Sequence, residues 1–143
     1  ATAFGARVIM ERFEEYGVAV KRVVNCGGIA AKSPLVMQIY ADVMNRTMEI
    51  SRSTQTGALG SAIAGSVVAG EAAGGYPGFT EAVDAMTGVR DTVYRPDQDR
   101  VAVYDELYEL YRSLHDAFGT PEYDEQLYPV MKRLLEIRDR ART

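Results

Sequence analysis

Two side chains could serve as a nucleophile and its base, but the sequence separates them. Cys26 is the only cysteine and His115 the only histidine, and they fall on different predicted elements. A thiol nucleophile needs a neighbouring base to take its proton, so we interpret Cys26 as a small buried residue at the end of a strand. We interpret His115, on a late helix beside Asp116, as an exposed or packing residue. One cysteine and one histidine are also too few soft ligands for a structural zinc site.

Aromatic and acidic residues in the second half of the chain could bind sugars, bases or metal ions. The tyrosines at positions 104, 108 and 111 recur at helical spacing, which is typical of a helix face that packs on a core. The acidic residues nearby do not follow a calcium-loop pattern, and we interpret them as a solvated face. They are Asp97, Asp99, Asp105 and Glu106.

The glycine pair Gly27-Gly28 is the feature best suited to bind a ligand. It follows a predicted strand and leads into a helix whose start is marked by Ser33-Pro34, a capping residue before a proline. Without side chains the backbone can approach a ligand closely, and a helix start adds unpaired N–H groups and partial positive charge. This combination suits the adenosine or phosphate part of a nucleotide. It is neither a G-x-G-x-x-G nor a Walker pattern, and an ordinary β–α turn is the alternative.

Length and composition limit the classes of protein. The 143 residues predict one domain, and a hydrophobic content of 47% excludes a disordered chain. No apolar run is long enough for a transmembrane helix, so we expect no membrane association. The net charge of −4 predicts no nucleic-acid partner. The single cysteine excludes a disulfide framework and favours a reducing, cytoplasmic compartment.

The first residues give an expectation about domain organisation. The sequence begins Ala1-Thr2-Ala3-Phe4 and enters an amphipathic pattern at once, with no signal-peptide pattern. A processed or disordered N-terminus is one interpretation. We favour a second one, in which the chain is the C-terminal part of a longer protein, because its two predicted strands are too few for a complete doubly wound sheet.

The hydrophobic pattern of the first half predicts the order αβαβα. Helices are predicted over 2–16, 34–45 and 57–70, and strands over 20–25 and 47–52, the second of them half-exposed near a sheet edge. The third helix is unusually rich in glycine and alanine. Each glycine costs about 1 kcal/mol relative to alanine in a helix interior, so we expect this helix to pack very close to another backbone.

The second half is predicted to be mostly helical. Its helices are predicted over 81–86, 101–118 and 122–141, and the late arginines of the last helix suit the negative end of its dipole. Residues 91–100 contain a proline and several charges, which predicts irregular structure. The fold class is therefore α/β and helix-rich with few strands, with an αβαβα core over 1–70 and a C-terminal helical extension over 71–143.

The stretch from Asn25 to Val43 resembles the adenosine-binding region of the FGGY carbohydrate kinases. In that family a strand ends in glycines, followed by a Lys-Ser/Asn-Pro-like turn and a helix with Met-Gln and Ala-Asp. The matching residues here are Gly27-Gly28, Lys32-Ser33-Pro34, Met37-Gln38 and Ala41-Asp42. The later run Gly57–Ala62 resembles the second glycine-rich helix of the family, and residues 1–70 match in order and spacing.

Within the family, the resemblance is strongest to the members that phosphorylate L-ribulose. It is carried by the Cys-Gly-Gly-Ile-Ala form at the glycine pair and by the segments 1–7, 37–42, 94–96 and 103–108. The resemblance implies an incomplete actin-like, ribonuclease H-like ATPase domain. It also implies transfer of the γ-phosphoryl group of MgATP to the 5-hydroxyl of L-ribulose, a step of L-arabinose catabolism.

The resemblance also implies a division of roles. The sugar would be contacted mainly by an N-terminal domain outside this chain, which would also supply the catalytic base, so no catalytic residue and no metal ligand is assigned here. The residues assigned to ATP are Gly27, Gly28, Ile29, Lys32, Ser33 and Gln38. The first three would present backbone to the adenosine or proximal phosphate, the next two would line the adenine or ribose, and the last would help hold the loop. Gly57 and Gly60 would let their helix pack tightly.

Two alternatives stay open. The chain could be a non-enzymatic αβα module that binds a partner protein through an exposed tyrosine face over 104–118. It could also belong to another FGGY sugar kinase, acting on xylulose or glycerol. The resemblance leaves the oligomeric state open, a homo-oligomer included, and implies that this chain alone is catalytically inactive.

Overall fold

The chain contains helices and one small sheet. The computed structural model describes residues 1–121 and 123–142. The elements in chain order are α1 (Thr2–Glu15), β1 (Val23–Asn25), α2 (Gly27–Lys32), α3 (Pro34–Met44), β2 (Met48–Ser51), α4 (Thr56–Ala69), a 3-10 turn (Glu71–Ala73), α5 (Phe79–Met86), β3 (Val89–Tyr94), α6 (Gln98–Gly119) and α7 (Tyr128–Arg140). The predicted helix-rich α/β class is confirmed.

The three strands form one sheet in the order β1-β2-β3. β1 and β2 are parallel, with Val23 opposite Met48, and β3 is antiparallel to β2, with Tyr94 opposite Met48. β2 is therefore the middle strand, and the prediction that it lies near an edge is wrong. Its alternation was predicted correctly, because Met48 and Ile50 share one face and both are buried.

The third strand occupies a segment that was predicted to be irregular. Val89–Tyr94 pairs with β2 although Arg90 and Asp91 interrupt its apolar pattern. In the described sheet β3 is an edge strand, and an edge strand tolerates charge on its solvent side. Pro96 lies beyond the end of the strand, so it removes no hydrogen bond from the ladder.

Contacts divide the described residues into two compact units. The first unit contains 1–20, 40–46 and the described residues from 96 onwards, and the second contains 21–39 and 47–95. The division into a 1–70 core and a 71–143 extension stays a prediction. No helix in the described part of the chain has an apolar stretch that would span a bilayer.

Aromatic residues of α1 and α6 form a cluster in the first unit. The ring of Phe4 lies 6.4, 5.8 and 5.4 Å from the rings of Tyr104, Tyr108 and Tyr111, between centroids. The tyrosines therefore pack, as their spacing predicted. The apolar face of α6 is not packed at the end of the helix, where Phe118 is 86% exposed.

Arg7 connects three elements of the same unit. Its Nη1 donates to Asp105 Oδ1 at 2.6 Å and to the Val43 carbonyl at 3.0 Å, and its Nε donates to Glu11 at 2.9 Å. Its guanidinium also lies over the Tyr108 ring, 4.1 Å from the centroid. The Arg7 side chain therefore contacts four groups, which lie on α1, α3 and α6.

A carboxylate of α6, Glu106, binds two arginines of α7. Glu106 accepts hydrogen bonds from Arg133 Nη2 and Arg140 Nη2, both at 2.7 Å, and the bond from Arg140 is the chief reason why the pKa of Glu106 lies below its ordinary value. α7 starts later than the helix predicted over 122–141, because residues 123–127 are not helical and Pro129 stands in the first turn. Residue 122 lies outside the described residues. The basic last turn is confirmed by Arg138 and Arg140.

We expect acid to weaken the docking of α7. A carboxylate whose pKa is lowered by folding stabilises the fold fully above its ordinary pKa, here 4.5, and this stabilisation is lost as the pH falls through the lowered value. The measurement is the amide-exchange protection of α7 near pH 6 and near pH 3, for the unmodified chain and for Glu106→Gln. Protection in the unmodified chain should drop towards that of the variant on acidification. An equal drop in both proteins would contradict this role of Glu106.

The glycine-rich helix α4 does not show the close packing that was expected. A methyl group added at Gly57, Gly60 or Gly65 would meet no described atom within 4 Å. Ile63 is the buried residue of this helix, and Val68 is 88% exposed. The close approach occurs instead at Gly75, where an added Cβ would lie 1.9 Å from the Ser66 carbonyl oxygen. The expectation for Gly57 and Gly60 is therefore wrong within the described structure.

Candidate functional site

The predicted glycine loop is a short helix. α2 begins at Gly27 itself and runs to Lys32, so the prediction of an open loop before α3 is wrong. The change from strand to helix takes place at Cys26, which is extended, and Gly27, whose φ of +87° favours glycine. α2 ends at Ser33 because the residue before a proline is disfavoured in the helical region, and Ser33 is non-helical with φ −123° and ψ 89°.

One side of α2 is anchored and another faces solvent. Ala30 is buried, whereas Gly28, Ile29 and Lys32 are exposed, Ile29 to 69%. Gly28 and Lys32 are four residues apart and thus lie on one face of the helix. An atom added at Gly28 would meet nothing within 4 Å. This face therefore offers bare backbone, an apolar side chain and an ammonium group to a ligand.

Ser33 acts as the predicted cap of α3. Its Oγ accepts from the Val36 N–H at 3.4 Å, and its carbonyl accepts from the Met37 N–H at 3.2 Å. Ser33 is half-buried, so its hydroxyl serves the fold at this turn.

Gln38 contacts a different part of the second unit. Its Nε2 donates to the Arg95 carbonyl at 2.8 Å, just beyond the end of β3. The structure thus collects Gly27, Gly28, Ile29 and Lys32 on one short helix, with Ser33 at its end. Gln38 is directed to the sheet side of α3.

Sequence reasoning missed the residue that anchors the strand before this turn. Asn25 ends β1, and its Nδ2 donates to the sulfur of the buried Met48 at 3.3 Å. Nearby, an exposed ion pair joins Arg22 to Glu49, and this hydrogen bond lowers the pKa of Glu49. The signal for Asn25 was its type, since asparagine at a strand end favours a turn.

The candidate nucleophile and the candidate base both lie at the surface. Cys26 is exposed, so its interpretation as a buried residue is wrong; the turn at Gly27 turns the backbone away and leaves the thiol uncovered. His115 is 53% exposed and its Nδ1 lies 2.9 Å from Asp116 Oδ1, as expected for a surface residue. Among residues 1–121 and 123–142, no three His, Cys, Asp or Glu side chains form a group that could hold a metal ion.

Sequence comparison identifies relatives of nearly the whole chain. Residues 1–69 match the model of the FGGY family of carbohydrate kinases, C-terminal domain. The chain is 46% identical over 142 residues to a ribulokinase of Geobacillus thermodenitrificans. The match covers 99% of this chain and 24% of that protein. It is 40% identical over 141 residues to a ribulokinase of Mycolicibacterium smegmatis, and this match covers 99% of this chain and 23% of that protein. The chain thus spans about a quarter of the length of these relatives.

Two solved structures share the fold. A xylulose kinase from Rhodospirillum rubrum matches 82% of this chain and 22% of its own, with a TM-score of 0.65 at 25% identity. A ligand-bound xylulose kinase from Lactobacillus acidophilus matches 81% and 23%, with a TM-score of 0.57 at 21% identity. The incomplete actin-like fold expected from the sequence is therefore confirmed. Residues 1–69 are thus identified as similar to the C-terminal domain of the FGGY family of carbohydrate kinases.

Proposed function

We propose that this chain is the ATP-binding, C-terminal part of a kinase that phosphorylates L-ribulose at its 5-hydroxyl. The observation that carries the proposal is the identity of 40 to 46% with ribulokinases along almost the entire chain. The fold agrees with it, because two sugar kinases share the architecture. Two contacts count against the alternative of a partner-binding tyrosine face, because Tyr108 is buried and the ring of Tyr111 packs on Phe4. Tyr104, Leu107 and Tyr111 are half-buried.

The exposed face of α2 is the proposed nucleotide contact. The backbone at Gly27 and Gly28 would lie against the adenosine or the proximal phosphate, and Ile29 would cover apolar surface of the base. The Lys32 ammonium would lie on the adenine or ribose side, within reach of a negatively charged group. Ser33 would shape the turn beside the base, since its hydroxyl already caps α3.

The reaction would need alignment of two substrates more than covalent chemistry. The sugar oxygen forms a bond to the γ-phosphorus, the bond from that phosphorus to the β–γ bridging oxygen breaks, and ADP leaves. The hydroxyl proton passes to a base that we do not assign to this chain. Mg²⁺ would neutralise the phosphate charge when bound with ATP, and we assign no described residue to it. The part of this chain is to bind and orient the nucleotide.

Valine at position 28 is expected to weaken nucleotide binding about tenfold or more. A branched side chain at Gly28 covers the backbone that the ligand would approach, while the absence of neighbours within 4 Å preserves the fold. Calorimetric titration with ADP and with MgATP measures the effect. Gly119→Val at the end of α6 is the matched control, because an added Cβ there also meets nothing within 4 Å. Equal affinities in the unmodified chain and Gly28→Val would contradict the placement of the nucleotide.

A pair of chimeras tests the kinase activity and the kind of sugar kinase that this chain can complete. In the first chimera, this chain replaces the matching quarter of the Geobacillus thermodenitrificans ribulokinase. In the second chimera, it replaces the matching part of the Rhodospirillum rubrum xylulose kinase. ADP formation is measured with L-ribulose for the first chimera and with xylulose for the second, and each kcat/KM is divided by that of the parent enzyme. We expect this ratio to be at least about tenfold higher for the first chimera. The reverse order would favour the second candidate function, part of a xylulose kinase, to which the fold is also similar.

A further inference from the structure

The side chain of Gln38 ties α3 to the sheet of the second unit. Its Nε2 donates to the Arg95 carbonyl at 2.8 Å. Arg95 directly follows Tyr94, the last residue of β3, and Tyr94 lies opposite Met48 in the middle strand. Met48 is fully buried. The amide of Gln38 is thus attached to a carbonyl whose position is set by the sheet.

The first turn of α3 transmits this position to α2. Ser33 is the single residue between the two helices, and both its hydroxyl and its carbonyl accept N–H groups of that first turn. Met37, one residue before Gln38, is 4% exposed, so this part of α3 is packed as well as hydrogen-bonded. A shift of α3 along the sheet would therefore move Ser33, and with it the exposed face of α2.

We propose that Gln38 is a positioning residue for the nucleotide site, which holds α2 in place through the Arg95 carbonyl and does not touch the nucleotide. This inference rests on the proposed function and makes specific the expectation that Gln38 helps to hold the loop. The exposed residues Gly28, Ile29 and Lys32 then make the contacts to the nucleotide. Gln38 acts on them through Ser33.

The test removes the donor of Gln38 without changing its size. Gln38→Met has no donor and no charge, and Gln38→Glu has no donor at neutral pH but regains an O–H donor when its carboxyl is protonated. Gln98→Met is the matched control, because Gln98 Nε2 makes a comparable bond to Asn45 Oδ1 at 3.2 Å in the first unit. Amide exchange of α2 should become about two- to tenfold faster in Gln38→Met, which is the range for one neutral hydrogen bond. It should not change in Gln98→Met.

The pH dependence and the ligand dependence separate positioning from other roles. In Gln38→Glu, exchange of α2 should approach that of the unmodified chain as the pH falls below about 4, whereas Gln38→Met should show no such recovery. Affinity for MgADP, Mg-2′-deoxy-ADP and Mg-inosine diphosphate should fall by one common factor in Gln38→Met. A loss that depends on the base or the ribose would show direct contact and overturn the inference.

The amide-exchange measurement also tests the positioning role of Gln38 independently of nucleotide binding. Unchanged exchange of α2 in both Gln38 variants would overturn the positioning role, even if the variants lowered the melting temperature. Absence of nucleotide binding by the unmodified chain and by the ribulokinase chimera would count against the proposed function. Faster exchange of α2 in that case would still show that Gln38 positions this helix.

Discussion

Alanine at position 75 is expected to destabilise the second unit by about 2–4 kcal/mol. An added Cβ at Gly75 would lie 1.9 Å from the Ser66 carbonyl oxygen and 3.0 Å from both the N and O atoms of Gly70. Because these are backbone atoms at the end of α4, no side-chain rotation relieves the clash. The backbone must move, and it would break the bonds from Gly75 N–H to the Gly70 carbonyl, 2.8 Å, and from Tyr76 N–H to the Ser66 carbonyl, 3.2 Å.

Urea unfolding followed by circular dichroism measures this effect. Gly65→Ala on the neighbouring helix is the matched control, because its added methyl group meets no described atom within 4 Å. Alanine is a better helix former than glycine, so this control should stabilise the chain by up to about 1 kcal/mol. The two substitutions should therefore change stability in opposite directions. Similar unfolding midpoints for Gly75→Ala and Gly65→Ala would contradict the close approach at Gly75.

Leucine at position 7 is expected to destabilise the first unit by about 2–4 kcal/mol. The substitution removes a side chain that is only 20% exposed and that donates to Asp105, Glu11 and the Val43 carbonyl. Hydrogen bonds to charged groups contribute about 1.5–3 kcal/mol each, and unpaired acceptors add a desolvation penalty. The contact with the Tyr108 ring is lost as well.

Arg12→Leu on the same helix separates this effect from a general loss of charge. Arg12 is 67% exposed and bonds to Glu15 at 2.8 Å, and exposed pairs of this kind contribute about 0–1 kcal/mol. Arg7→Lys should lie between the two, because an ammonium group cannot match the planar guanidinium at several acceptors. Equal free energies of unfolding for Arg7→Leu and Arg12→Leu would show that the contacts of Arg7 add little to stability.

The elements that the sequence predicted well are those with many regularly spaced apolar residues. α1, α3 and α4 were located to within one or two residues, and the tyrosines of α6 were correctly assigned to packing. α2 was missed because six residues are too few to show a helical period and because its two glycines are typical of loops. β3 was missed because Arg90 and Asp91 break the alternation that marks a half-buried strand.

Long-range contacts explain what was missed at the site. The sequence predicted the glycine turn and the Ser33 cap, because both are local features that residue type and spacing reveal. The partner of Gln38 is 57 positions away and that of Arg7 is 98 positions away, and one sequence carries no signal for such pairs. The same reasoning applies to glycine: composition located a glycine-rich helix, but only the fold shows that the close neighbour is at Gly75.

The exposure of Cys26 has a consequence for the redox behaviour of the chain. Because Cys26 is the only cysteine of these 143 residues, a disulfide formed between two copies of this segment joins Cys26 of one copy to Cys26 of the other. An exposed thiol at the start of α2 is accessible for that bond. Oxidation would place a second chain directly against Gly27 and Gly28, so the covalent dimer and the open α2 surface exclude each other, and a reducing agent would restore the surface.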